Sequence, residues 1–140
     1  MKKIIGVLLA DGLIFSFAGC AQTGKPENAE IDLGESSLYS AQDRQAAVEY
    51  LIRKHLGSPA IRKVYAVRYA GDERSQEEQA YYVDQEGMAF DAIIVFCVDF
   101  KSARGIKAGA FNPNERYTDY SYILGRTNGG DWEYVTGGYA

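Results

Sequence analysis

The stretch from Ala89 to Phe100 constrains the fold of this chain most strongly, because both of its alternating sets of positions are apolar. One set is Phe90, Ala92, Ile94, Phe96, Val98 and Phe100, and the other is Ile93, Val95 and Cys97. Successive side chains of a β-strand point to opposite faces of a sheet, and a strand that is apolar on both faces lies between two covering layers. The stretch therefore predicts a central strand that is covered on both sides.

A helix is predicted between Ser40 and Gly57. Ser40 is a good N-cap, and Asp43 three residues later completes a Ser-x-x-acid capping arrangement. One face of the helix is largely apolar, because Ala47, Leu51 and His55 recur at a spacing of four and are flanked by Val48, Ile52 and Leu56. Gly57 followed by Pro59 predicts the end of the helix.

A strand and a short second helix are predicted next. Residues Ile61 to Tyr69 form the strand, with one face consisting of Ile61, Tyr65, Val67 and Tyr69, interrupted by Lys63. Ser75 and Glu78 form a second Ser-x-x-acid start, which predicts a short helix ending near Gly87.

The C-terminal part of the chain predicts a β-hairpin. Residues Tyr120 to Thr127 and Trp132 to Tyr139 are the two strands, and the turn Asn128-Gly129-Gly130-Asp131 carries residues that tolerate positive φ. The preceding residues 101–119 are rich in Gly, Asn and Pro and are predicted to form a long loop. Long loops in small domains are often functional, so this loop is a candidate site.

These elements predict an α+β fold in a single domain of residues 38–140. The sheet is expected to be curved and antiparallel, with about four strands. One main helix is expected to pack on one face, and the short second helix completes the domain.

The N-terminus predicts an export signal. Lys2 and Lys3 precede two apolar runs that end at Ala18-Gly19-Cys20, which is typical of a bacterial lipoprotein signal peptide covering residues 1–19. Cys20 would then be lipidated, and residues 20–37 would form a flexible tether. The sequence therefore predicts a protein that is anchored to the cell membrane by its lipid and faces away from the cytoplasm.

Two other interpretations of the N-terminus remain open. Phe17 stands where lipoprotein signals usually have Leu, and Asp11 interrupts the apolar region. The segment is also shorter than the roughly 20 apolar residues of a membrane-spanning helix. An ordinary cleaved signal with an incidental cysteine, or a buried N-terminal helix of a cytoplasmic protein, would fit these features as well.

Composition excludes some functional classes. The formal net charge is −4, and no Lys/Arg cluster follows the signal segment, so no nucleic-acid partner is expected. If Cys20 is lipidated, Cys97 has no partner for an intramolecular disulfide. Asp99 would raise the pKa of Cys97, which argues against a catalytic thiol.

Several short segments together resemble a known family. The segments are Leu38-Tyr39-Ser40-Ala41-Gln42-Asp43, Ala46-Ala47, Tyr69-Ala70-Gly71-Asp72-Glu73, Asn112-Pro113-Asn114 and Asn128-Gly129-Gly130-Asp131-Trp132-Glu133. In combination they resemble a family of uncharacterised lipoproteins from clostridia-type Gram-positive bacteria, classed as a domain of unknown function. The resemblance covers about Leu38 to Tyr139. It implies a cystatin-like or nuclear-transport-factor-like fold and an extracytoplasmic location, and it implies no catalytic residues.

The aromatic residues supply the predicted binding site. Tyrosine suits half-buried strand faces, and it also forms binding surfaces because it joins an apolar ring to a polar hydroxyl. Six side chains are expected to line a concavity of the sheet: Tyr65, Tyr69, Tyr120, Tyr122, Trp132 and Tyr134. The chain is therefore predicted to be a non-catalytic binding or interaction domain for a protein or a small ligand, without cofactor or metal.

The alternative is a small pocket enzyme of the nuclear-transport-factor-like type. His55, the single histidine, or a carboxylate would act as general base. The competing interpretation places His55 at the C-terminal end of the first helix, where it interacts with the helix dipole. A deep pocket that joins His55 to a carboxylate or a tyrosine would favour the enzyme. Asp91 and Asp99 stand roughly 26 Å apart on a regular strand, too far for paired acid–base chemistry.

Overall fold

The computed structural model describes residues 28–139. The predicted signal peptide, Cys20 and residues 21–27 of the predicted tether lie outside this range. The described residues form an α+β domain with five strands in one sheet and a helix on each face, which confirms the predicted class. The predicted count of about four strands is one too low. None of the helices between residues 28 and 139 has the length and apolar character needed to span a membrane.

The elements follow one another along the chain. The strands are β1 (Glu30–Asp32), β2 (Ile61–Tyr69), β3 (Ala92–Ser102), β4 (Arg116–Arg126) and β5 (Glu133–Gly138). The helices are α1 (Ala41–Leu51), which continues as a π-helical turn over Ile52–Leu56, and α2 (Asp72–Gln79), which continues likewise over Ala80–Gln85. A short 3-10 turn, Gly105–Ala108, follows β3.

The sheet is mixed, which corrects the prediction of an antiparallel sheet. Its strand order is β1-β2-β3-β4-β5; β1 pairs with β2 in parallel, and the other pairs are antiparallel. β1 falls inside the segment predicted as a tether, so residues 30–37 belong to the folded domain rather than to a linker. With three residues and a single apolar side chain, Ile31, β1 carries too little pattern to be recognised.

β3 is covered on both faces, as its sequence predicts. On one face, called the α1 face below, Ile94, Phe96, Val98 and Phe100 are fully buried in the main core with α1. On the other face, the α2 face, Ile93 and Val95 are fully buried in a smaller cluster with Ile123. The residues that pack against this smaller cluster include Tyr82 and Val83 from the turn after α2.

The first helix begins and ends where the sequence predicts, but its last turn is π-helical. The Ser40 hydroxyl accepts a hydrogen bond from the Asp43 backbone N–H at 3.0 Å, which is the expected N-cap. At the other end, the Gly57 N–H donates to the Ile52 carbonyl at 2.9 Å, an i to i+5 bond of a π-helical turn. The wider turn displaces His55 from the buried stripe of Ala47 and Leu51, and its side chain is half-buried.

The second helix begins earlier than predicted. α2 starts at Asp72, directly after Gly71, whose φ of +108° turns the chain out of β2. Ser75 is therefore not an N-cap but a buried residue inside the helix. The helical segment ends near Gly87 as predicted, where φ is +75°. β3 then starts at Ala92, so Phe90 precedes the strand and packs with the α2-face cluster instead of the α1 face.

Asp72 ties the segment between β1 and α1 to the rest of the domain. Its carboxylate accepts hydrogen bonds from the Ser36 hydroxyl at 2.5 Å, the Tyr69 hydroxyl at 2.5 Å and the Ser37 backbone N–H at 2.7 Å. The Ser36 and Tyr69 hydroxyl groups lower the pKa of Asp72 to about 2 because they stabilise its charged form. The polar start of α2 thus holds the approach to α1 in place.

The C-terminal hairpin has the predicted turn. Asn128 and Gly129 have φ of +55° and +69°, and the Gly130 N–H donates to the Thr127 carbonyl at 2.9 Å, as in a type I′ turn. The predicted loop over residues 101–119 is shorter in the structure, because β3 extends to Ser102 and β4 begins at Arg116.

Candidate ligand-binding surface

Three of the predicted site residues lie together on the α1 face. Tyr120 and Tyr122 project from β4, and Tyr134 projects from β5 beside them. The ring centroids of Tyr120 and Tyr122 are 5.3 Å apart, and those of Tyr122 and Tyr134 are 6.3 Å apart. The sequence therefore identified the centre of an aromatic cluster.

The cluster is larger than the sequence indicated. The His55 ring stacks on Tyr134 with a centroid distance of 4.4 Å, and Tyr50 lies 5.9 Å from His55. At the other end, Tyr139 lies 5.5 Å from Tyr120. We call this set the tyrosine strip; it consists of Tyr50, His55, Tyr120, Tyr122, Tyr134 and Tyr139. The sequence did not place Tyr50 and His55 in this cluster, because residues five positions apart lie on the same side of a helix only where it widens to a π turn.

A glycine allows the rings to lie close to β5. Gly137 pairs with Tyr122 across the sheet. A Cβ atom at Gly137 would stand 3.1 Å from both the Tyr120 ring and the Tyr134 hydroxyl, and 3.2 Å from the Ser121 carbonyl. The absence of a side chain at Gly137 therefore lets two rings of the strip approach the backbone of the edge strand.

The strip has a buried base and an exposed rim. Tyr122 is 4 % exposed, whereas Tyr134 is 42 % and Tyr139 61 % exposed. Burial raises the pKa of Tyr120, Tyr122 and Tyr134 above the ordinary value for a phenol. Their hydroxyl groups therefore keep their protons at neutral pH, and the strip offers ring faces together with hydrogen-bond donors.

The loop before β4 packs against the buried side of the strip. Phe111 packs on Phe100 with a centroid distance of 5.1 Å and on Tyr120 at 5.6 Å. The Tyr117 hydroxyl accepts a hydrogen bond from the Asn112 backbone N–H at 2.9 Å, which fixes the loop. The loop that the sequence marks as a candidate site thus contributes an anchoring aromatic side chain to the base of the strip.

Trp132 shares the α1 face but lies outside the strip. Its ring packs edge-on against Tyr39 at 5.8 Å and lies under the Arg126 guanidinium at 4.4 Å. Trp132 lines a cleft of about 620 Å³ between α1 and the β4–β5 turn, which we call the α1–turn cleft. Tyr50 lines the same cleft, so the cleft and the strip adjoin.

Tyr65 and Tyr69 do not join the strip. Tyr69 faces the main core, and its hydroxyl is bound to Asp72. The prediction that Tyr65 shares a face with Tyr69 is wrong, because register shifts between Ile61 and Ala66 reverse the alternation. Val64 takes the core position, and the Tyr65 ring lies under the Arg116 guanidinium at 3.9 Å on the opposite face.

His55 has aromatic rather than acidic neighbours. The rings nearest to it are Tyr134, Tyr50 and Tyr122. Burial and the Lys54 ammonium lower the pKa of His55, so the imidazole is neutral at pH 7. The imidazole thus meets tyrosines, as the enzyme alternative requires, but His55 does not line the α1–turn cleft. Within residues 28–139, no three His, Cys, Asp or Glu side chains are grouped so as to hold a metal ion.

Comparisons with known proteins add no assignment. A scan against protein-family models, a search of curated proteins and a search of solved structures each found no match to this chain. The resemblance to clostridia-type lipoproteins therefore stays a prediction, as do the cystatin-like and nuclear-transport-factor-like folds that it implies.

Proposed function

We propose that this protein is a non-catalytic binding domain, anchored to the outer side of the cell membrane through a lipid on Cys20, and that the tyrosine strip is its binding surface. The observation that carries the proposal is the exposed rim of the strip. Tyr134 and Tyr139 present two large rings to solvent beside the half-buried Tyr120. Tyrosine joins large apolar area to a polar hydroxyl with few rotatable bonds, which suits it to recognition.

The position of the strip agrees with a tethered domain. The chain enters the described domain at β1, which is one edge of the sheet, and the strip lies against β5, the opposite edge. Four strand spacings separate these edges by roughly 19 Å. A tether that leads into β1 would therefore attach the domain at the edge of the sheet opposite the strip, and the strip would stay accessible.

The pocket-enzyme alternative has less support. Its general base would be His55, whose ring contacts are three tyrosines and whose pKa is lowered by burial and by Lys54. Among residues 28–139, no carboxylate perturbs this pKa, so the described part of the chain offers His55 no acidic partner of the kind that orients many catalytic imidazoles.

The binding surface is tested by screening the protein on glycan and peptide arrays and comparing three forms. We expect the wild type to bind at least one class of probe, and the double variant Tyr134→Ala/Tyr139→Ala to bind it about 30-fold more weakly or worse, since interfacial tyrosines are frequent hot spots. The matched control is Tyr81→Ala, which removes a ring that is 45 % exposed outside the strip. If the double variant bound the probe as tightly as the wild type does, the strip would be excluded as the binding surface.

The anchor is tested independently of the strip. Cells grown with a labelled fatty acid should incorporate the label into the wild-type protein and not into Cys20→Ala, and the variant should be released from the membrane. An unlabelled wild-type protein in the medium would contradict the anchor and favour an ordinary cleaved signal.

A further inference from the structure

The α1–turn cleft contains Arg126, whose guanidinium is only partly paired. Arg126 lines the cleft, with a side chain that is 16 % exposed. Among residues 28–139, Asp43 is the acceptor that its guanidinium contacts, through one nitrogen at 3.2 Å. The other N–H groups of the guanidinium are left without a protein acceptor in this part of the chain.

The Trp132 ring lies beneath the Arg126 guanidinium, 4.4 Å from it. It is 5 % exposed, and its indole Nε1–H is buried without an acceptor among the described residues. Arg53 and Lys54 also line the cleft and make no ion pair within residues 28–139.

The carboxylates of the cleft match its basic side chains in number. Asp43 already accepts from Arg126, and Glu49 accepts from Gln45 at 3.0 Å. The cleft also carries Asp131, so its acidic and basic side chains are equal in number. This balance disfavours a multiply charged anion and suits a ligand with a single negative charge.

We propose that the α1–turn cleft binds the carboxylate of an organic monocarboxylic acid, with Arg126 as the main contact. A planar guanidinium fits a carboxylate with two parallel N–H···O bonds, and its position over the Trp132 ring at 4.4 Å fixes its plane. The proposal rests on the proposed function, because Tyr50 joins the cleft to the tyrosine strip and the body of the acid would lie on the strip.

Arg126 also borders a second cleft of about 620 Å³, which fits this ligand less well. The charged residues that share the second cleft with Arg126 are Asp84 and Asp91. Both are acidic and would repel a carboxylate. The α1–turn cleft, with Arg53 and Lys54 on its wall, is therefore the better position for the anion.

Trp132 gives a direct readout, since it is the single tryptophan of the chain. The protein is titrated with N-acetyltyrosine, which represents a peptide C-terminus, with methyl glucuronide, which represents a sugar acid, and with the uncharged N-acetyltyrosinamide. We expect at least one acid to change the Trp132 fluorescence saturably and to bind about tenfold or more tightly than the amide. Which acid binds identifies the source of the carboxylate.

Arg126→Lys keeps the positive charge but removes the planar guanidinium. It should weaken binding of the acid about tenfold and leave binding of the amide unchanged. The matched control is Arg116→Lys, whose guanidinium also covers an aromatic ring, Tyr65, but far from the cleft. Thermal unfolding shows whether both variants fold. If Arg126→Lys does not fold, the proposal is tested by comparing the affinities of the wild type for the acid and for the amide.

Two results would overturn the carboxylate site: no saturable signal with either acid, or neither acid binding more tightly than the uncharged amide. The failure of this proposal can be told apart from failure of the proposed function. An acid that binds to Tyr134→Ala/Tyr139→Ala with the same affinity as to the wild type would support the cleft as the carboxylate site and exclude the strip as part of the acid's binding surface. Array binding that depends on Tyr134 and Tyr139, together with no saturable signal from either acid, would keep the strip and exclude the carboxylate site.

Discussion

Ile93→Ala and Ile94→Ala are each expected to lower the free energy of unfolding by about 2–5 kcal/mol. The two isoleucines are neighbours on β3 and point to opposite faces, and each has no exposed surface. Ile94 packs in the main core under α1, and Ile93 packs in the α2-face cluster. Truncation removes buried methyl groups on either face and leaves a cavity.

Urea denaturation of the two variants measures these losses. Comparable losses of more than about 2 kcal/mol would support a β3 that is sealed on both faces. A loss below about 0.5 kcal/mol for Ile93→Ala alone would mean that the turn after α2 does not cover this face, because substitutions at solvent-exposed positions are nearly neutral.

Gly125→Ala is expected to destabilise the domain by about 1–3 kcal/mol, because it overpacks the α2 face. A Cβ atom at this position would lie 2.7 Å from the Cγ atom of Phe90 and under 3.0 Å from both of its neighbouring ring carbons. The Phe90 ring packs flat over the backbone of β4, and the added methyl group would force it away. Gly125 is opposite Ile93 on β3, so the displacement reaches the fully buried part of the cluster.

A double-mutant cycle with Phe90→Ala isolates this contact. Phe90→Ala removes the ring, so Gly125→Ala should cost much less in that background than in the wild type. Equal costs in the two backgrounds would show that the glycine is needed for a reason other than the ring. The control substitution Ala92→Gly changes a neighbouring strand position without adding a contact.

The sequence predicts the elements that carry a strong local pattern. The two-faced apolar run of β3, the Ser40 cap of α1 and the Asn128-Gly129 turn each correspond to one physical requirement. These requirements are burial on two sides, an acceptor for a free N–H, and positive φ at a tight turn. Each is met by residues close together in the chain, so sequence inspection was enough.

The features that the sequence did not predict correctly depend on contacts between distant residues or on local departures from regular geometry. β1 forms because β2 offers a parallel edge, and its own three residues carry no pattern. Tyr65 changes face because register shifts in β2 break the alternation that the sequence suggested. His55 leaves the buried stripe of α1 because the helix widens to a π turn.

The sequence therefore predicted only part of the tyrosine strip. Tyr120, Tyr122 and Tyr134 lie on the paired strands β4 and β5, whose pattern and turn could be recognised. Tyr50 and Tyr139 come from a helix and from the end of the chain, and only the packed sheet brings them beside these three. Arg126 could not be identified from the sequence, because the cleft that it lines with Arg53 and Lys54 exists only once α1 packs against the turn.

The most direct test of the tyrosine strip is fluorine NMR of protein labelled with 3-fluorotyrosine, with each signal assigned by a single Tyr→Phe substitution. Titration with the probe that the arrays identify should shift the signals of Tyr120, Tyr134 and Tyr139, while Tyr65 and Tyr81 stay unchanged. Tyr65 lies on the opposite face and Tyr81 on the turn after α2. Shifts confined to Tyr65 or Tyr81, with the strip signals unmoved, would contradict the account.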